Sequence, residues 1–185
     1  MKKNNLAPIC LFTYNRLEET RKTIEALQKN YLARESELFV FSDGWKSETS
    51  KEKIESVRAF LKTITGFKKV TIIEKKINNG LANSIINGVT QIINEYGNVI
   101  VLEDDLVTSP NFLNFMNQSL GFYENNNKIF SISGYTLNLK SLKTLSEDVY
   151  LGYRASSWGW ATWKDRWEDF VSNFLFTDLS HLQDV

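Results

Sequence analysis

The sequence predicts an α/β protein in which a mainly parallel sheet lies between two layers of helices. Short apolar runs alternate with longer segments of helical periodicity through about four strand–helix units, and this order is typical of parallel strands joined by right-handed helical crossovers. A polar cluster follows each apolar run, and no linker-like segment interrupts the chain. Its 185 residues therefore suit a single domain with one substantial core.

The first unit is a strand at Pro8–Thr13 followed by a helix over Asn15–Lys29. The strand is a short apolar run, which is typical of a buried position. Asn15 and Glu18 have the spacing of a capping box, so we expect Asn15 to cap the helix. Its buried face would consist of Leu17, Thr20, Ile24 and Leu27.

The second unit begins with a strand at Glu37–Ser42 that ends at the turn residues Asp43 and Gly44. Thr49 and Glu52 have capping-box spacing at the start of the next helix. The apolar face of that helix would consist of Ile54, Val57, Leu61 and Ile64.

The third unit is a strand at Lys69–Glu74, a short Asn-rich loop, and a helix that begins at Leu81. Gly97 is well placed to end this helix, because glycine readily adopts the left-handed conformation found there. The predicted buried face consists of Leu81, Ile85, Val89, Ile92 and Ile93.

The fourth strand is predicted at Asn98–Leu102. Ser109 and Pro110 would start the fourth helix, since serine can cap and proline is favoured at the first helical position. The buried face would consist of Phe112, Leu113, Met116 and Leu120.

The composition argues against several classes of partner. Lys and Arg together number 22, as do Asp and Glu, so the net charge gives no reason to expect nucleic acid. The single Cys10 cannot form an internal disulfide, which suits a reducing compartment. There is no signal-peptide pattern and no run near the roughly 20 apolar residues of a membrane span. We expect a cytoplasmic protein that could contact the inner face of a membrane peripherally.

Polar clusters follow the four predicted strands. They are Thr13–Arg16, Ser42–Gly44, Asn78–Gly80 and Glu103–Asp105. Because the carboxyl ends of parallel strands share one edge of a sheet, these clusters should meet where open α/β sheets bind ligands.

The three consecutive acids Glu103, Asp104 and Asp105 allow two interpretations. They could simply be solvated at the end of a strand, with one of them capping the next turn. Alternatively, they could bind a hard cation such as Mg²⁺ or Mn²⁺, which is often held by one or two carboxylates and substrate phosphates. Such a cation would explain how the carboxylates tolerate one another.

The other clusters are equally open to a plain structural interpretation. Asp43 could belong to a simple turn or accept hydrogen bonds from a nucleobase or ribose. Asn79 and Gly80 could form an ordinary loop or let a ligand approach the backbone closely. Arg16 could be exposed or could pair with a phosphate. The sequence contains neither a dinucleotide-binding glycine motif nor a P-loop motif.

The ordered segments ICLFTYNR, FSDG, NNG, VIVLEDDLVTSPNFL and SSWGWATW resemble the nucleotide-sugar glycosyltransferases of the GT-A fold. The resemblance is closest to glycosyltransferase family 2 and its relatives of the N-acetylglucosaminyltransferase I type, which carry a Glu-Asp-Asp form of the D-x-D motif. It covers roughly residues 7–170 and implies a Rossmann-like three-layer sandwich. It also implies metal-dependent transfer of a hexosyl or N-acetylhexosaminyl group, with inversion, to a carbohydrate or lipid-linked acceptor. The donor would be a UDP-sugar, and a role in polysaccharide biosynthesis would follow.

The resemblance also implies roles for individual residues. Asp105 would coordinate Mn²⁺ or Mg²⁺, and Trp158 and Trp160 could contact the donor sugar or the acceptor. About 1–125 would form the nucleotide-binding half of the single domain 1–185, and about 126–185 an acceptor-side half that is incomplete at its carboxyl end. The residues expected to contact the nucleotide are Thr13, Asn15, Arg16, Asp43, Asn79, Gly80 and Asp104.

The general base is left open. The family's base would be expected after the tryptophan cluster, where Asp165 and Asp178 are candidates alongside Glu168 and Asp169. None of these acids lies in a specific motif. Trp160, Trp163 and Trp167 recur at helical spacing, which favours a core position for Trp163 and Trp167 in particular.

Two alternatives to a glycosyltransferase are kept. One is a nucleotide-sugar-binding fragment without a full catalytic apparatus, which the short carboxyl-terminal part would suit. The other is a sugar nucleotidyltransferase, but such enzymes usually begin with a glycine-rich phosphate loop, and FTYNRLEET contains no glycine.

Overall fold

A computed structural model describes residues 6–174, which form one six-stranded sheet and five α-helices. The strands are β1 (Ile9–Thr13), β2 (Glu37–Ser42), β3 (Lys69–Glu74), β4 (Asn98–Glu103), β5 (Ile132–Ser133) and β6 (Trp160–Trp163). The helices are α1 (Leu17–Gln28), α2 (Glu48–Leu61), α3 (Leu81–Tyr96), α4 (Phe112–Tyr123) and α5 (Lys164–Phe174). Short 3-10 turns occur at Ala33–Glu35 and Lys140–Thr144.

The sheet has the strand order β3-β2-β1-β4-β6-β5. Strands β1 to β4 are mutually parallel, and β6 runs antiparallel to both β4 and β5. The carboxyl ends of β1 to β4 therefore lie together at one edge, called here the carboxyl edge. Because β6 begins opposite Val101 and β5 ends opposite Trp160, the chain between β5 and β6 leaves and rejoins the sheet toward this same edge.

Two apolar cores cover the two faces of the sheet and confirm the predicted three-layer α/β fold. The first contains Leu11, Val40 and Leu102 and packs against α1, α2 and α4. The second contains Phe12 and Val101 and packs against α3 and α5. The alternation of side chains along each strand divides these residues between the faces, so each central strand is buried on both sides.

The starts of three helices differ from the prediction. Asn15 does not cap α1, because Arg16 occupies the N-cap position and the helix has no side-chain cap. At α2 the capping box consists of Ser47 and Ser50, two residues earlier than the predicted pair. Helix α4 begins at Phe112 rather than Pro110. The connection is therefore longer than the local capping signals suggest before α1 and α4, and shorter before α2.

Some residues assigned to helical faces also differ from the prediction. Leu81 at the start of α3 is 55% exposed, and the two residues that follow it in the first turn of the helix are exposed as well. Trp160 and Trp163 lie in strand β6 and not on a helix, so their spacing was misread. The core assignment of Trp163 and Trp167 is nevertheless confirmed, since both are almost fully buried.

Gly88 of α3 allows the helix to approach the sheet closely. A Cβ atom at this position would lie 2.8 Å from Cε1 of Phe12 and 3.0 Å from Cε1 of Phe41. The two rings stack with centroids 4.9 Å apart inside the second core. Even one methyl group must therefore displace two packed aromatic rings.

We predict that Gly88→Ala destabilises the fold by about 1–3 kcal/mol, because overpacking outweighs the gain in helix propensity. Gly121→Ala on α4 is the matched control, since a Cβ there meets no atom within 4 Å. It should stabilise by about 0.5–1 kcal/mol. Chemical denaturation of both variants measures the two effects, and equal stability would contradict the close approach.

Cys10 provides a probe of the core. It lies in β1 with no exposed surface, and burial raises the pKa of its thiol far above the ordinary value. Since only the thiolate reacts, labelling with a disulfide reagent should be at least about a thousandfold slower in the native protein than in denaturant. Rapid native labelling would show that β1 is accessible without unfolding.

Candidate functional site

Two clusters of polar residues lie side by side at the carboxyl edge. The acid cluster joins Arg16, from the β1–α1 connection, to Asp104 and Asp105 after β4. The Asp43 cluster joins the end of β2 to the β3–α3 loop. Strand β1 lies between them, and the Asp43 amide donates to the Thr13 carbonyl at 3.2 Å. The four loops predicted to meet do meet.

Asp104 is the buried centre of the acid cluster. Its residue is only 3% exposed, and its Oδ1 accepts a hydrogen bond from Nη2 of Arg16 at 2.5 Å. Oδ2 accepts from the Tyr14 amide at 3.3 Å. The Thr23 hydroxyl donates to the Asp104 carbonyl at 3.0 Å. The side chain and backbone of Asp104 are thus held against the start of α1, whose partial positive charge favours a carboxylate there.

Asp105 points toward solvent, in contrast to its neighbour. Its side chain is 41% exposed, and Oδ2 accepts from Nη1 of Arg16 at 3.0 Å. A single guanidinium therefore bridges both aspartates. The positive charge of Arg16 offsets the repulsion between the two adjacent carboxylates. The sequence alone did not reveal this role of Arg16.

The electrostatics of the cluster follow from burial and mutual repulsion. Burial raises the pKa of Asp104, and the hydrogen bond and charge of Arg16 oppose this without cancelling it. Burial, together with the charges of Asp105 and Asp104, also raises the pKa of Glu103. Burial alone would lower the pKa of Arg16, but the two aspartates more than offset it, and the net direction is upward. The cluster therefore contains more carboxylates than the single guanidinium of Arg16 can neutralise.

Asp43 fastens the β3–α3 loop to the end of β2. Its carboxylate accepts from the amides of Gly44 at 2.9 Å, Asn79 at 3.0 Å and Gly80 at 3.0 Å. The residue is 7% exposed. A carboxylate offers about four lone-pair sites, so most of the capacity of Asp43 is used within the protein. Its first function is to hold Asn79 and Gly80 in place.

Glycine is required at two points of this cluster. A Cβ on Gly44 would lie 2.4 Å from the backbone carbon of Ile77, so a side chain there would push the two loops apart. Gly80 has φ 76° and ψ 159°, a region that is essentially restricted to glycine. The backbone of the loop therefore reaches Asp43 only because these two positions lack side chains.

Arg58 of α2 connects the same two loops through hydrogen bonds to their backbone carbonyls. Its guanidinium donates to the carbonyls of Ser42 at 3.3 Å, Asp43 at 3.2 Å and Lys75 at 2.7 Å. It also pairs with Glu74 at 3.5 Å, and its side chain is only 12% exposed. Arg58 was missed in the sequence, although its position four residues after Ile54 on the buried stripe of α2 was a signal.

The remaining predicted nucleotide contacts are less exposed than a direct contact would suggest. Thr13 is 4% exposed, and its hydroxyl donates to the Phe41 carbonyl at 3.4 Å. Asn15 is partly buried in the β1–α1 connection. The structure thus places both residues at the carboxyl edge, where their contact with a nucleotide stays a prediction.

The two tryptophans expected to contact sugar are separated by the structure. Trp158 is 51% exposed, lies beyond the start of β6 at the carboxyl edge, and meets the Tyr135 ring at a centroid distance of 4.6 Å. Trp160 instead stacks on Trp167 at 5.8 Å and joins the second core. The structure thus packs Trp160 against the second core and leaves Trp158 exposed, and contact of either residue with a sugar stays a prediction.

Asp165, a candidate general base, lies at the edge of the sheet opposite the two polar clusters. Trp163 pairs with Asn98 at the start of β4, and the Lys164 amide donates to the Gly97 carbonyl at 2.8 Å. From Asn98 to Glu103 the strand spans roughly 16 Å at about 3.3 Å per residue. Asp165 binds Arg166 beside a shallow cavity of about 370 Å³ at that opposite edge. Of the other candidates, Glu168 and Asp169 lie with Asp165 on α5, and Asp178 lies outside the described residues.

The donor set fits a hard divalent cation only in combination with a ligand. Within residues 6–174, no group of three or more Asp, Glu, His and Cys side chains is arranged to hold a metal. Asp105 offers an exposed carboxylate beside the buried Asp104. One or two carboxylates completed by phosphate oxygens are a common arrangement for Mg²⁺, so these residues suit a metal that arrives with a diphosphate.

The buried contacts of Arg58 lead to a stability prediction. We expect Arg58→Ala to destabilise the fold by about 2–4 kcal/mol, because it leaves several buried carbonyls without a charged donor. Lys62→Ala is the matched control, since Lys62 pairs with the same Glu74 at 3.4 Å but is 65% exposed. Its loss should cost less than about 1 kcal/mol. Denaturant unfolding distinguishes them, and similar values would rule out a special role for Arg58.

Comparison with solved structures agrees with the fold. Among curated proteins, none matches the sequence. Among solved structures, one similar chain is the mannosyltransferase PcManGT from Pyrobaculum calidifontis in complex with GDP-Man and Mn²⁺. The TM-score is 0.50 at 14% sequence identity, over 69% of this chain and 34% of that one. This chain thus matches about a third of the mannosyltransferase's length, and the likeness establishes a shared fold.

A family match covers most of the described chain. Residues 9–165 match the family described as Glycosyl transferase family 2, a range that runs from the start of β1 into α5 and includes both polar clusters. The chain therefore belongs to glycosyl transferase family 2.

Proposed function

We propose that the protein transfers a sugar from a nucleotide-diphosphate sugar to an acceptor hydroxyl, using a divalent cation. The observation that carries this proposal is that a buried carboxylate, Asp104, lies next to a solvent-facing one, Asp105, at the carboxyl edge. The loop that Asp43 orders lies beside them. The chain is also a member of glycosyl transferase family 2. We take UDP as the nucleotide to test first. GDP is the next, since the structural neighbour was solved with GDP-Man.

In this proposal, different residues of the carboxyl edge would bind different parts of the donor. The backbone of Asn79 and Gly80, fixed by Asp43, would contact the nucleoside. Asp105 would hold Mn²⁺ or Mg²⁺, while Asp104 stays buried against α1 and keeps its neighbour oriented. When bound, the cation would neutralise charge that develops on the departing diphosphate.

The transfer itself would invert the anomeric configuration. The acceptor oxygen would attack the anomeric carbon opposite the diphosphate while the carbon–oxygen bond to the diphosphate breaks, and a carboxylate acting as general base would take the proton of the acceptor hydroxyl. Trp158 offers an exposed indole at the same edge on which a donor or acceptor sugar could stack. Such a surface is compatible with a hexosyl or an N-acetylhexosaminyl donor. It is also compatible with a carbohydrate or a lipid-linked acceptor.

A nucleotide-sugar-binding role without catalysis is the second candidate. The placement of Asp165 at the opposite edge supports it, because the carboxyl edge then lacks this candidate for the general base. A cytoplasmic location stays a prediction. Among residues 6–174, no helix combines the length and the apolar character needed to span a bilayer.

The proposal is tested by calorimetric titration of UDP, then GDP, with Mn²⁺ or with EDTA. We expect binding that requires the metal, and we expect Asp105→Asn to weaken it at least about tenfold because one metal ligand loses its charge. Asp165→Asn is the matched control and should bind as the wild type does, since it lies at the other edge of the sheet.

Transfer or hydrolysis of the matching nucleotide-sugar then separates the two candidates. Release of nucleoside diphosphate that Asp105→Asn abolishes would support an enzyme, and binding without turnover would support the second role. Metal-independent binding of equal strength in both variants would overturn the assignment of Asp105.

A further inference from the structure

We infer that Arg16 is a built-in counter-cation that occupies Asp105 in the metal-free protein and competes there with the divalent ion. This inference rests on the proposed function, because it concerns the metal that function requires. It adds a role for Arg16 beyond contact with a nucleotide: the residue would set how strongly metal binding depends on the donor.

The geometry gives Arg16 two unequal partners. Its Nη2 donates to Asp104 at 2.5 Å and its Nη1 to Asp105 at 3.0 Å. Asp104 is fixed from a second side by the Tyr14 amide and is 3% exposed. Asp105 is 41% exposed and accepts from the guanidinium through Oδ2. The inner bond is therefore the anchor, and the outer bond is the one that can exchange.

The charges of the cluster are only partly balanced. Glu103, Asp104 and Asp105 are consecutive acids. Among the residues the structure describes, Arg16 is the basic partner of both Asp104 and Asp105, and Glu103 forms no ion pair. One guanidinium against three carboxylates leaves room for a divalent cation, but the carboxylate oxygen that faces Arg16 is already in use. A metal on either oxygen of Asp105 places a second positive charge a few ångströms from the guanidinium, and this repulsion weakens the ion pair.

A diphosphate would change this balance. A guanidinium binds phosphate oxygens in the same forked manner as carboxylates, so a bound donor gives Nη1 an alternative partner. It also supplies ligands that complete the coordination of the metal. Metal and nucleotide should therefore bind with positive coupling, and part of that coupling would come from the release of Asp105 by Arg16. Coupling of this kind is reciprocal between the two ligands.

The test is a titration of Mn²⁺ alone, followed by electron paramagnetic resonance of the free ion. We expect weak binding to the wild type and binding about tenfold tighter to Arg16→Gln, because a competing charge a few ångströms away is removed at a partly exposed site. Arg16→Lys retains charge without the fork and should fall between the two. Arg21→Gln is the matched control, since Arg21 lies on α1 five residues after Arg16 and pairs with Glu18 at 4.0 Å.

Thermal melting with and without Mn²⁺ provides a second measurement. Arg16→Gln leaves buried Asp104 without its counter-charge, so its melting temperature should fall without metal and rise more on adding Mn²⁺ than that of the wild type. If the glutamine variant binds Mn²⁺ no more tightly than the wild type, while UDP or GDP still recruits metal to both, the competition is refuted and the proposed function stands. If Mn²⁺ binds to neither protein even with nucleotide, both proposals fail.

Discussion

The parallel register of β1 with β2 on one side and β4 on the other is the constraint on which the rest of the structure depends. Thr13 pairs with Ser42, and Phe12 pairs with Glu103, so three loops emerge at one level of the sheet. A shift of one residue would exchange the two faces of β1 and move apolar side chains into the wrong core. Burial on both faces therefore fixes the position of the polar loops without any contribution from the loops themselves.

Placed at that level, the loops stabilise one another through charge and backbone contacts. A buried carboxylate is tolerated only if donors surround it, and the structure satisfies this condition in two different ways. Asp43 takes its donors from backbone amides of a neighbouring loop, whereas Asp104 takes a guanidinium and one amide. The first arrangement is rigid, because the donors belong to the main chain. The second retains a long side chain that can reorient.

Much of the fold could be predicted from the sequence because apolar periodicity is a local property. Strands β2 and β3 have the predicted limits, and Gly97 ends α3 with a left-handed backbone. The role of Arg16 as a shared counter-ion could not be predicted, since it depends on a contact between residues 88 positions apart. The placement of Asp165 at the opposite edge has the same origin: only the antiparallel pairing of β6 with β4 shows which way the chain runs there.

The reversal at β6 has an evolutionary consequence. The chain between Ser133 and Trp160 departs from the sheet and returns to it at neighbouring positions, with the Gly134 amide bound to the Gly159 carbonyl at 2.7 Å. Such an excursion is anchored like the two ends of a hairpin, and doubling the length of a flexible loop adds only about 0.6 kcal/mol of closure entropy. Insertions, deletions and new side chains can therefore accumulate between these two anchors while the sheet keeps its packing. The family can diversify this part of the surface without having to rebuild the core that supports it.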